Sequence, residues 1–199
     1  MQEIEVKFNV RDLKGIEARL QALGATESQP RTLEVNLRFD LPTGLLQSEH
    51  RVLRLRRDRA NLLTYKAPGQ TVDGVRAREE IEFEVSDFAA AQSVLEALGY
   101  QVVFIYEKYR AVHELGGAHV TLDELPYGHF VEIEGRDAAH LRETAAALSL
   151  DWSTCVSAGY MALFEHVQKK LRLPFRDLTF GNFAGLAISP GDLGVTPSG

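Results

Sequence analysis

Apolar and charged positions alternate from the start of the chain. Ile4, Val6 and Phe8 interleave with Glu3, Glu5 and Lys7, a period of two that predicts a strand with one apolar and one charged face. Asp12 then stands where a helix N-cap is expected, Leu13, Ile16, Leu20 and Leu23 recur at helical spacing, and Gly24 can take the left-handed closing position. The succession returns further on. A strand carrying Glu80, Ile81 and Glu82 runs through Val85, Asp87 follows, and Phe88, Ala91, Leu95 and Leu98 fall on one helical face that closes at Gly99. A weaker third version begins with Glu132, Ile133 and Glu134, continues through Asp137 and predicts a helix past Leu141 and Leu148. The first two units predict a pseudo-repeated domain over residues 1–173, with halves of about 1–78 and 79–173.

Between these units the pattern predicts strands near Leu33–Asp40, Arg51–Arg57, Asn61–Lys66, Val102–Val112, His119–Asp123 and Phe130–Glu134, and a further helix over Ser157–Leu171. Beyond Pro174 the Gly- and Pro-rich stretch 174–199 has little periodicity, so it is either a packed irregular extension or a mobile tail.

A charged strand face ordinarily means a face turned to water. Here the charges are sorted by sign along the chain. Cations gather at Arg54, Arg56, Lys66, Lys108 and Arg110, and anions at Glu3, Glu5, Glu132 and Glu134. Like charges two apart on a strand lie only about 7 Å from one another, which is unfavourable unless a counter-charge stands between them. A closed sheet with these faces inward satisfies them: an anionic ligand fills the cationic side, a divalent metal fills the acidic side, and helices cover the apolar exterior.

Composition narrows the chemistry. The chain of 199 residues is 45% hydrophobic and 25% charged, ordinary for a globular fold. A formal charge of -6 speaks against a general nucleic-acid or membrane surface while leaving room for a local basic pocket. Cys155 is the single cysteine, which excludes an intramolecular disulfide and a thiol-rich zinc site; it reads as a small packing residue. No apolar run approaches membrane-spanning length and the N-terminus lacks the pattern of a signal peptide, so a cytoplasmic location is expected. The six histidines show no ligand-type spacing, His113, His119 and His129 each being isolated. Paired carboxylates suit Mg²⁺ or Mn²⁺, hard cations that take oxygen ligands and bridge to phosphates. The cluster of arginines and lysines suits a polyphosphate.

At this point the residues resemble a known family. "EIEVK" at Glu3–Lys7 is similar to the ExExK signature of the CYTH domain, or triphosphate tunnel metalloenzyme, family. "NLRFD", "LRLRR", "TYKAP", "REEIEFE", "YEKYR" and "TLDELPYGHFVEIEG" follow in the family's order over roughly residues 1–135. The resemblance implies an α+β fold, an eight-stranded antiparallel β-barrel forming a triphosphate tunnel with helices packed outside. It implies Glu3, Glu5, Glu132 and Glu134 as metal ligands, Mg²⁺ or Mn²⁺ as cofactor, and Lys7, Arg54, Arg56, Lys66, Lys108 and Arg110 as substrate-binding cations. Asp123 resembles the acidic residue that orients a neighbouring cation, Glu80 and Glu82 the carboxylates near the attacking water, and Lys66 joins them as a catalytic candidate. Two positions depart from the pattern: Arg38 stands where the family has an aromatic residue, and Leu41 where it has threonine.

The implied activity is metal-dependent hydrolysis of a triphosphate, whether inorganic triphosphate, thiamine triphosphate or a nucleoside triphosphate. Cyclisation of ATP in the same pocket and non-catalytic polyphosphate binding are the alternatives. The expected partner is the small-molecule triphosphate, with no nucleic acid or membrane, in a monomer or homodimer.

Overall fold

The computed structural model describes residues 2–198, with side chains from Ile4 to Ser198. Strand β1 (Gln2–Val10) leads into α1 (Leu13–Ala22), whose first turn is capped by the Asp12 carboxylate accepting from the Gly15 amide at 3.0 Å. Then come β2 (Thr26–Asp40), the short α2 (Leu45–Ser48), β3 (Val52–Arg57), β4 (Asn61–Lys66), β5 (Gln70–Val72) and β6 (Val75–Glu84). The second strand-helix unit repeats the first in its local chemistry. Asp87 caps α3 (Phe88–Ala97) by accepting from Ala90 at 3.0 Å, and Gly24 and Gly99, just past the ends of α1 and α3, both take positive φ. Strands β7 (Gln101–Leu115), β8 (Ala118–Leu125) and β9 (Gly128–Glu134) precede α4 (Ala138–Ala147), α5 (Tyr160–Leu171) and α6 (Pro190–Leu193).

The strands pair antiparallel in the order β1-β9-β8-β7-β2-β3-β4-β6, and β6 pairs back onto β1, so eight strands form a closed ring. The short β5, which the hydrophobic pattern did not announce, is a hairpin partner of β6 and not a member of the ring. Strands β2 and β7 are longer than the alternation suggested, fifteen residues each, and their ladder carries register shifts at Glu27/Gln29, Gln29/Thr32 and Arg38/Phe39. Such irregularities bend a long pair and let a sheet curl closed.

Helices cover much of the outside. Ile16 and Leu20 of α1 and Leu141 and Ala145 of α4 pack on Val6, Phe8, Val120, Leu122, Val131 and Ile133. Leu95 of α3 packs with Leu37, Phe39 and Leu55. Leu20 and Leu141 have no exposed surface, and each contributes roughly 1.5–3 kcal/mol by burial. The cover is incomplete: Ile81 and Phe83, on the outward face of β6, remain 53% and 54% exposed.

The stretch after Pro174 is a packed extension. Leu178 bridges to β7 beside Tyr106, with its amide donating to Ile105 and its carbonyl accepting from Glu107. Phe183 and Leu193 are buried with Phe164 and Val167 of α5, and the Ser198 amide donates to the Asn9 carbonyl at 2.7 Å. Enough apolar surface is buried to order a segment whose sequence has no period of its own.

Candidate active site inside the strand ring

Because side chains alternate along a strand, turning the apolar positions outward turns every second polar residue into the ring. Glu5 and Lys7 of β1, Arg54 and Arg56 of β3, Lys66 of β4, Glu80 and Glu82 of β6, Lys108 and Arg110 of β7, and Glu132 and Glu134 of β9 line one cavity of about 840 Å³. Asp123 of β8 lies behind this lining with no exposed surface. Glu3 occupies the β1 position opposite Arg78, and its side chain lies outside the described residues.

One part of the wall is a buried charge network. Asp123 accepts from Lys108 Nζ at 3.1 Å, from Arg110 Nε at 2.7 Å and Nη2 at 2.5 Å, and from the Tyr160 hydroxyl at 2.7 Å. Arg110 also reaches Glu132 at 2.6 Å, and Lys7 lies 3.2 Å from the other Glu132 oxygen. Burial disfavours the Glu132 anion, but Lys7, Arg110 and Lys108 outweigh it and hold the carboxyl well below its ordinary range. Burial likewise opposes ionisation of Glu34, and Lys108, Arg110, Arg56 and Arg54 reverse the balance and lower its pKa strongly. Glu34 accepts from Asn36 Nδ2 at 2.8 Å and stands 3.5 Å from Lys108 and 3.8 Å from Arg56. Arg110 is held cationic by Asp123, Glu34 and Glu132 despite its burial.

A second part holds carboxylates that face one another. Glu5 and Glu134 are direct cross-strand partners in the β1–β9 ladder, an arrangement that is repulsive unless a cation is shared between them. Arg78 lies 3.7 Å from Glu5. Of the two middle carboxylates, Glu80 pairs with Lys66 at 2.7 Å, while Glu82 accepts from Thr64 Oγ1 at 2.6 Å and lies 3.4 Å from Arg54 and 3.6 Å from Arg56. Oxygen donors from β1 and β9, both lining the same cavity, fit a hard divalent cation.

Helix α5 completes the enclosure. Tyr160 sits with Lys7 Nζ 4.1 Å and Lys108 Nζ 5.2 Å from its ring centroid, and Met161 and Glu165 also line the cavity. Burial and the Asp123 and Glu132 charges push the Tyr160 phenol well above its ordinary range, so it remains a donor to Asp123. Below it, Phe104 stacks on Phe164 at 5.6 Å and Phe130 meets Tyr160 edge-on at 5.3 Å, so the interior on this side is aromatic and not polar.

Sequence reasoning passed over Glu34 and Tyr160. Glu34 had a legible signal, because Glu34, Asn36, Arg38 and Asp40 share parity against Val35, Leu37 and Phe39. Tyr160 had none, since its role depends on where α5 docks. Another grouping arises away from the cavity: Glu17, Glu27 and His113 offer ligand atoms within 4.8 Å of one another, with Glu27 the direct cross-strand partner of His113. Three separate elements supply them, which is why the histidine spacing was silent.

The closed antiparallel ring with an internal cluster of acid and base defines a tunnel fold, and comparison with known proteins agrees. The sequence profile of the CYTH domain matches residues 1–153, and the chain belongs to that family. It is 28% identical over 133 residues to the adenylate cyclase CyaB of Aeromonas hydrophila, covering 66% of this chain and 67% of that protein. Among solved structures, a Vibrio parahaemolyticus protein provisionally assigned as an adenylate cyclase superposes with a TM-score of 0.72 at 22% identity, over 79% of this chain and 94% of that one. A Pyrococcus horikoshii OT3 protein gives a TM-score of 0.67 at 26% identity, over 79% of this chain and 96% of that one. A Hippeastrum protein with a provisional adenylyl cyclase assignment, described as having a dominant triphosphatase activity, gives 0.65 at 21% identity, over 82% and 95% of the two chains. CYTH proteins are enzymes, cyclases or triphosphatases, and the family is metal-dependent. Among the described residues no helix is long and apolar enough to cross a membrane.

Proposed function

We propose that this chain is a divalent-metal-dependent hydrolase that releases phosphate from triphosphate-containing substrates. The observation that supports the reading is the convergence of Lys7, Arg54, Arg56, Lys66, Lys108 and Arg110 on one cavity that also holds the cross-strand carboxylates Glu5 and Glu134. Glu5 and Glu134, with Glu3 and Glu132, would hold Mg²⁺ or Mn²⁺. When bound, such a cation supplies Lewis acidity toward phosphate oxygens and toward water.

The chain's own residues do the rest. Lys7, Arg54, Arg56, Lys108 and Arg110 bind phosphate oxygens, with the arginines offering paired donors. Asp123 and Glu34 fix Lys108, Arg110 and Arg56, so the clamp is aligned before substrate arrives and costs little reorganisation as charge moves. Glu80 accepts the proton of the attacking water as the new P–O bond forms, and Lys66 beside it donates toward the bridging oxygen as the old P–O bond breaks. Glu82, already engaged by Thr64, Arg54 and Arg56, orients those cations.

The test is a phosphate-release screen over inorganic triphosphate, thiamine triphosphate and ATP with Mg²⁺, Mn²⁺ or chelator. Metal-dependent release is expected. Cyclisation is the second reading, favoured by the likeness to an adenylate cyclase; cyclic AMP formed from ATP without net phosphate release would select it. Tight binding of every triphosphate with no turnover would reject both.

A further inference from the structure

Arg38 has a different standing from Lys7, Arg54, Arg56 and Lys108, which line the same cavity. It lines the cavity from β2, at the position where the family resemblance expects an aromatic residue. Its direct cross-strand partners are Arg54 on β3 and Phe104 on β7, so neither neighbour in register neutralises it. Arg54 has Glu82, Arg56 has Glu34 and Asp58, Lys108 has Glu34 and Asp123, and Lys7 has Glu132. Among the described residues Arg38 has no ion pair, and its Nε is buried without a hydrogen-bond partner. The nearby Asp40 carboxylate is engaged elsewhere, accepting from the backbone amides of Leu41, Leu46 and Gln47 at 2.7, 2.8 and 2.9 Å. Burial is the main cause that lowers the pKa of Arg38; Arg54 and Arg78 add to it, and Tyr106 and Asp40 oppose it without reversing the direction.

A desolvated arginine set opposite another arginine is unfavourable in the empty protein. What relieves it is an anion between the guanidiniums. We propose that Arg38 forms an additional anion subsite of the cavity, which takes the phosphoryl group at the end of the substrate where an organic substituent would otherwise sit, and so selects inorganic triphosphate or a longer polyphosphate over a substrate with a cationic organic group. This rests on the triphosphate reading above and deepens it. A thiazolium ring at that position would bring another positive charge toward Arg38 and Arg54. A phosphate oxygen pair accepts from a guanidinium in two parallel bonds.

The proposal predicts two opposed effects of Arg38→Leu, which make it separable from a structural role. The metal-free variant should melt at a higher temperature than the wild type, because a partly buried charge without an ion-pair partner is gone. Its affinity for tripolyphosphate, measured by calorimetry in chelator, should fall about ten- to a hundredfold, the range of one charge-assisted hydrogen-bonding group. Its affinity for pyrophosphate should change much less, collapsing the ratio between the two anions. Arg38→Lys should recover part of that ratio by restoring the charge without the fork. Wild-type affinity for tripolyphosphate in Arg38→Leu, or tighter wild-type binding of thiamine triphosphate than of tripolyphosphate, overturns the subsite while leaving the triphosphatase reading intact. Failure of the wild type to bind any of these anions removes that reading as well.

Discussion

The ring contains two kinds of carboxylate, and they differ in what balances them. Asp123 and Glu34 are wholly buried and answered by the protein's own cations, Asp123 by Lys108, Arg110 and the Tyr160 hydroxyl. Glu5 and Glu134 face the cavity and stand directly opposite each other. The first kind is held behind the wall by the protein's own cations and builds the clamp during folding; the second lines the cavity, with Arg78 3.7 Å from Glu5, and is placed to share a further cation. One cavity thus combines residues whose loss harms the fold with residues whose loss harms only the chemistry.

The largest effect expected from this contrast is on turnover. Glu5→Gln or Glu134→Gln should lower metal-dependent phosphate release by about a hundredfold or more, comparable to losing a principal electrostatic group, while the melting temperature stays within about 3 °C of wild type. Steady-state assays beside thermal melts check both halves, and near-normal rates in both variants would erase the distinction. Next is stability. Asp123→Ala removes the carboxylate that Lys108 and Arg110 share, leaving only Glu34 and Glu132 to balance them, and should cost about 3 kcal/mol, read from urea unfolding. A loss under 1 kcal/mol would mean that the network contributes no scaffold. The smallest effect is the pH response of Glu34. Its folded pKa is depressed, so its stabilisation is complete above the unfolded value of about 4.3 and is lost as pH falls below that point toward the folded value. The stability gap between wild type and Glu34→Gln should therefore be constant from pH 7 to about 5 and narrow in more acidic solution; a gap that widened on acidification would contradict the sign.

The order of elements was legible because period and punctuation agreed. Asp12, Asp87 and Asp137 each accept a backbone amide at a helix start, as their positions before an apolar helical face announced. The inward faces of β1, β3, β7 and β9 followed from alternation and sign sorting together. Other features lay out of reach. The hairpin strand β5 is three exposed residues with no apolar face to betray it. Exposure of Ile81 and Phe83 reflects where α3 settles, which depends on Leu95 finding Leu37, Phe39 and Leu55 across the chain.

By itself the sequence determined which side of each strand is charged and which helix begins where, since both are set by neighbours a few residues apart. Only the tertiary structure decided that β6 closes on β1, that Tyr160 reaches Asp123, and that Arg38 faces Arg54 with no ion pair among the described residues. Those outcomes depend on residues far apart in the chain, and the physical reason is that charge compensation acts through space: a local pattern can say that a residue is charged, but only the closed ring says what answers it.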